Sequence, residues 1–100
     1  MAQIPLYYPP PIDTYVQQKL QGKPGLRVFL KRLEDSVTAN PALSSPETFV
    51  LSNGEKIHCH RKSIRAASYS KTMIFSKDEI VMLYEILENH IRVIAVFFPP

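Results

Sequence analysis

Apolar residues recur at Leu26, Phe29, Leu30, Leu33 and Val37, the i, i+3, i+4, i+7 and i+11 positions of one helical face. Arg27, Lys31, Arg32, Glu34 and Asp35 fall between them, so the spacing predicts an amphipathic helix with a charged outer side. Lys31 and Asp35 stand four apart, an ion pair in the less favourable order. Before this helix, residues 15–20 predict a short helical turn, ended by Gly22, Pro24 and Gly25. After it, Asn40-Pro41 and Ser44-Ser45-Pro46 punctuate a loop over residues 38–46.

The pattern then changes to short apolar runs. Residues 48–51 and 55–59 predict two strands, joined at Asn53-Gly54. That dipeptide favours a type I′ turn, because both central positions need positive φ. With that turn Leu51 faces Lys56, Val50 faces Ile57 and Phe49 faces His58. One side of the hairpin then holds Val50, Ile57 and Cys59, and the other holds Phe49 and Leu51 with His58 and Lys56.

Residues 60–74 predict a partly helical stretch with Ile64, Ala66, Ala67 and Ile74 inward. Ser76 and Glu79 have the spacing of a capping box, with Phe75 and Ile80 as its hydrophobic staple. A helix over residues 78–90 would carry Ile80, Leu83, Tyr84, Leu87 and Ile91 as its stripe. Val81, Met82 and Ile86 widen that stripe. Residues 91–98, IRVIAVFF, predict a strand. Such a run needs cover on both faces or a partner chain, and Pro99 and Pro100 end it.

Residues 1–14 contain Pro5, Pro9, Pro10 and Pro11 with Tyr7 and Tyr8 among them. Three prolines in a row favour polyproline II and predict an arm, neither helix nor central strand. Ile4, Leu6, Tyr7 and Tyr8 are apolar enough to dock such an arm on its own domain. An aromatic-lined groove on another protein is the alternative. Residues 15–100 then form a single small domain.

Composition narrows the class. One hundred residues suit one domain. A single Cys excludes an internal disulfide framework and a cysteine-rich zinc site. No run approaches the ~20 apolar residues of a membrane span, so no membrane partner is expected. The first residues lack the basic start of a secretory signal, which makes cytoplasm or nucleus the default compartment.

The net charge is +3, and its distribution matters more. Lys56, Arg61, Lys62, Arg65, Lys71 and Lys77 follow one another with no acidic residue between the ends. This reads either as a solvated face or as an anion and nucleic-acid contact. Lys56, Arg61, Lys62, Arg65 and Lys71 are the candidates for that contact. Tyr69 is the one aromatic inside the segment, few for base stacking.

Over residues 48–75 the chain resembles a BTB/POZ domain. Ile57 and Cys59 stand at the apolar and small positions of that family's hairpin, and His60 at its histidine. Ile64, Ala66 and Ser68 fit its helix pattern, and Ile74-Phe75 its helix end. The resemblance implies protein–protein assembly: self-association, or adapter work linking a target to a larger complex. It makes Leu26, Phe29 and Leu30 dimer-face candidates, and Tyr84, Leu87 and Ile91 groove candidates. Val93 and Val96, on the all-apolar last strand, join them as interface candidates. Ordinary core is the alternative for every one of these positions.

Chemistry has little to stand on. His58 and His60 share a side of a strand, but a structural metal needs about four ligands, and Cys59 points the other way. Cys59 reads as a small buried thiol. Three glycines cannot write a phosphate-binding loop. Arg65-Ala-Ala-Ser68 has the spacing of a basophilic kinase site, though Ser68 would be packed in a helix. The expectation is an α+β fold: a small hairpin-based sheet packed against two or three helices, with a proline-rich arm. The expected function is a non-enzymatic interaction and oligomerisation module without a cofactor. A homodimer is its first partner and an unidentified protein the other. A small nucleic-acid-binding protein is the alternative.

Overall fold

The computed structural model describes residues 4–65 and 79–99. Strand β1 (Leu6–Tyr7) leads into helices α1 (Pro10–Leu20) and α2 (Pro24–Ala39). Strands β2 (Ser45–Val50), β3 (Lys56–Arg65), β4 (Glu79–Ile86) and β5 (Ile91–Phe97) follow. They form one mixed sheet in the order β1-β5-β4-β3-β2. The fold is therefore α+β. Strands β2 to β5 are an antiparallel meander, and β1 pairs in parallel with β5. The topology decides the layers. Helices α1 and α2 carry the chain from one sheet edge to the other, and the meander walks back. Both helices share one core cluster with Ile80, Met82, Tyr84, Ile91, Val93 and Val96, so both cover the same face.

Helix α2 follows its periodicity: Leu26, Phe29, Leu30, Leu33 and Val37 are its buried residues. Lys31 Nζ lies 3.0 Å from Asp35 on its exposed side. Helix α1 corrects the arm. It begins at Pro10, with Pro10 and Pro11 in its first turn. Those positions have no intrahelical partner for an N–H, so proline loses nothing there and its fixed φ suits the helix. Pro9 supplies the extended residue before the helix, at φ −56° and ψ 147°. The segment before it enters the sheet: the Ile91 N–H donates to Pro5 O at 2.9 Å, and Leu6 pairs with Ile91. Tyr8 closes the join by donating from its hydroxyl to Glu34 Oε2 at 2.6 Å. Residues 4–14 thus build the domain rather than hang from it.

The hairpin turn also differs. Gly54 has φ +88°, and among the described residues no other amino acid type has positive φ. The Gly54 N–H donates to Leu51 O at 3.0 Å, and the Leu51 N–H to Glu55 O at 2.8 Å. Asn53 Oδ1 accepts from the Glu55 N–H at 2.9 Å, a local bond that holds Asn53 at negative φ. The connection is a turn followed by a left-handed glycine bulge, one residue longer than type I′. Val50 therefore pairs with Lys56, and Phe49 with Ile57. A one-residue shift changes which side chains share a face. Phe49, not Val50, lies beside Ile57.

Two expected helices are strands. Strand β3 runs to Arg65, so residues 60–65 are extended; Ala66, Ala67, Ile74 and the Ser76 cap lie outside the described residues. Strand β4 replaces the helix over 79–86. Seven of the eight positions from Ile80 to Leu87 are apolar, Glu85 being the exception. A run that dense fits a helical and an alternating period equally well. Pairing on both edges, to β3 and β5, selects the strand. Strand β5 is extended as expected, with a bulge: Leu83 pairs with Ala95 but Tyr84 with Val93. Ile94 is the extra residue, which lets Val93 and Val96 both face the helices despite their odd spacing.

Candidate interaction surface

Since Ile80, Met82 and Tyr84 face the helices, Val81, Leu83 and Glu85 must project from the opposite face. Residues paired directly across a sheet share a face, so the register extends this set. Going along the strands, Glu79 stands beside Arg65. Next comes Val81, between Phe97 and Ser63. Then a row runs Ala95, Leu83, Arg61, Ser45. The following row holds Arg92 and Glu85, then Cys59 and Glu47. Last come Ile57 and Phe49. Tyr7 extends the Arg92 row at the β1 edge.

This far face is mixed in character. Phe97 is 49% exposed, and Phe49, Ile57, Val81 and Ala95 are half-buried. Leu83 and Cys59 are buried among their neighbours. Arg92 reaches Glu85 through Nε at 3.1 Å and through a second, closer Nη2 contact. Burial pushes the Cys59 thiol up from its usual range, and Glu47 and Glu85 add to the effect. A raised thiol pKa leaves little thiolate near neutrality, so Cys59 is a poor nucleophile.

The residues expected at an interface lie elsewhere. Leu26, Phe29 and Leu30 pack inward from α2, and Tyr84, Ile91, Val93 and Val96 meet them from the sheet. All seven are core, because the helices provide the cover that the apolar last strand needs. Leu87 is half-buried at the β4–β5 turn, where its N–H donates to His90 O. The signal missed was alternation. Once β3 and β4 are strands, Ile57, Val81 and Leu83 fall opposite the helix-facing set.

The basic segment is divided by the same alternation. Arg61 and Arg65 lie on the far face, while Lys56 and Lys62 share the helix side with His58 and His60. Lys62 Nζ donates to Ser36 O at 2.8 Å and to its Oγ at 3.2 Å, and burial lowers its pKa. That ammonium is committed to the end of α2. Lys71 lies outside the described residues.

His60 has a structural setting. Its Nδ1 lies 2.7 Å from Ser44 Oγ, and its ring stacks on Tyr84 with centroids 5.5 Å apart. Tyr84 in turn donates from its hydroxyl to Pro41 O at 2.6 Å, which ties the α2–β2 loop to the sheet. His58 Nδ1 lies 3.5 Å from Thr48 Oγ1, at the limit of a hydrogen bond. A shallow cleft lined by Pro46, Thr48, His58 and His60 opens beside them. Among the described residues no three His, Cys, Asp or Glu side chains gather as metal ligands. Among them also, no helix is long and apolar enough to cross a membrane.

No protein-family model, no curated protein and no solved structure matches this chain. The resemblance to BTB/POZ domains therefore rests on the residues of the 48–75 stretch alone.

Proposed function

We propose that this chain is a non-enzymatic protein–protein interaction and oligomerisation module, an adapter working in the cytoplasm or nucleus, with the far face of the sheet as its working surface. The observation that carries this reading is the one-sided cover of the sheet among the described residues. Helices α1 and α2 lie on one face, and the other presents Phe49, Ile57, Val81, Ala95 and Phe97 with at least part of each side chain open. Apolar side chains gathered on one exposed face favour contact with another protein surface. Arg61 in the middle row, and the Arg92, Glu85 and Glu47 row between the two apolar groups, give such a contact its orientation. The reading needs no cofactor. Light scattering coupled to size exclusion tests it: a dimer or larger species at tens of micromolar supports it, and a strict monomer there removes self-association.

A second reading has its own observation. Arg61 and Arg65 share the far face with Phe49 and Phe97, a combination of cations and rings that suits single-stranded nucleic acid. Glu47, Glu79 and Glu85 on the same face weigh against it. A mobility shift with single-stranded RNA across a salt series tests this alternative. A complex that weakens steeply with salt supports it, and no shift at low salt removes it.

A further inference from the structure

Among the described residues the far face carries three arginines and three glutamates, and their places in the register are related. Arg65 on β3 lies in one row with Glu79 on β4. Arg92 on β5 lies in one row with Glu47 on β2, with Glu85 and Cys59 between them. A twofold axis parallel to the strands and midway between β3 and β4 exchanges β3 with β4 and β2 with β5, while each row stays in place. From this register we propose that the occupant of the far face is a second copy of this chain, packed sheet to sheet about that axis. The proposal rests on the interaction-module reading and specifies its partner and geometry.

The operation places Arg65 against Glu79 of the other copy, twice by symmetry. It also places Arg92 against Glu47 of the other copy, again twice. In the middle rows Ala95 meets Ser45 and Val81 meets Ser63, while Leu83, already buried within its own protomer, adds little to the contact. No like charges are opposed in any of these pairs. A twofold interface must be self-complementary, since each patch meets itself. This arrangement of opposite charges in paired columns satisfies that condition. Aligned sheets pack about 10 Å apart and cross at roughly 30°, a spacing that Arg and Glu side chains span. Four strands of about six residues cover roughly 20 by 20 Å on each copy, which places the contact among weak, transient interfaces of less than ~1,200 Å² in total.

Charge exchange between separate chains tests the geometry. R65E or E79R alone brings like charges together across the axis at two places. In an equimolar mixture of the two variants, a mixed dimer restores opposite charges at both. Sedimentation velocity on the full chain should show wild type dimerising, each variant about tenfold weaker or more, and the mixture back within a few-fold of wild type. Circular dichroism on each variant keeps the comparison among folded proteins. A dimer unchanged by either variant overturns the twofold arrangement while leaving the interaction module standing. A wild-type monomer throughout overturns the second copy as occupant and removes oligomerisation from the proposed function. Single-stranded RNA bound by the monomer and lost in R61E/R65E overturns the second copy as occupant and assigns the face to nucleic acid.

Discussion

The two faces of this sheet are built from adjacent residues of the same strands, yet they have different fates. Toward the helices, Ile80, Met82, Tyr84, Ile91 and Val93 have no exposed surface. On the other side Phe97 keeps 49% of its surface, and charged residues occupy every strand from β2 to β5. Residue type alone does not account for this, since Val81 and Val93 are the same amino acid. What differs is the path of the chain. Both helices cross on one side between the edge strands, so one face is sealed within the protomer. Among the described residues, neither helix lies over the other face.

The sharpest way to break the comparison is to remove equal kinds of group from each face. Leu33→Ala, beneath α2, should cost about 2–5 kcal/mol, because the lost contacts leave a cavity that the layer cannot close. Phe97→Ala should cost the monomer less than about 1 kcal/mol, in line with a half-exposed site. Urea denaturation at low protein concentration measures both. Similar losses would mean that the far face is sealed within the protomer too.

A smaller effect probes the register that assigns Phe49 and Ile57 to the far face. Gly54→Ala should destabilise by about 1–2 kcal/mol, the cost of left-handed backbone for a residue with Cβ. Asn53→Ala should cost about 0.5–1.5 kcal/mol, the value of its bond to the Glu55 N–H. A gain in stability from Asn53→Gly, which only a positive φ at position 53 would reward, would favour the type I′ register instead.

The seal at the β1 edge gives a pH-dependent test. Burial, followed by the hydrogen bond to Glu34, raises the Tyr8 pKa above the ordinary tyrosine value. The folded state holds that proton more firmly than the unfolded chain does. Its contribution is therefore complete below pH ~10 and is lost as pH rises beyond. Tyr8→Phe should cost about 1 kcal/mol near neutrality and flatten the alkaline fall in stability. An unchanged alkaline limb would place the cause in another group. The smallest effect belongs to the outermost layer: Lys31→Ala removes an exposed ion pair and should leave the denaturation midpoint unchanged.

These residues also mark how far sequence reasoning reached. Helix α2 was legible because a sixteen-residue element with one wet face leaves a clear period. The last strand was legible from its β-branched density. Strand β4 was not, because a nearly continuous apolar run carries no period to read. The prolines of α1 misled for a different reason: proline forbids a helix interior but suits its first turn. At the candidate surface, Arg61 and Arg65 are visible in the sequence as part of the uninterrupted basic run. Phe49, Ile57, Val81, Leu83, Ala95 and Phe97 carry no such mark, since a face exists only once the strands are in register.

Sequence by itself determined the mixed class of the domain, the buried stripe of α2, the existence of a hairpin at Asn53-Gly54 and the lack of a recognisable catalytic motif. Each follows from local stereochemistry or from the spacing of a few residues. Tertiary structure alone decided that Leu6 and Tyr7 join the sheet, that the hairpin shifts by one position, and that the basic segment divides between two faces. It alone decided which apolar residues are core and which line the open side. Those outcomes depend on long-range pairing, where a single step of register exchanges one face for the other.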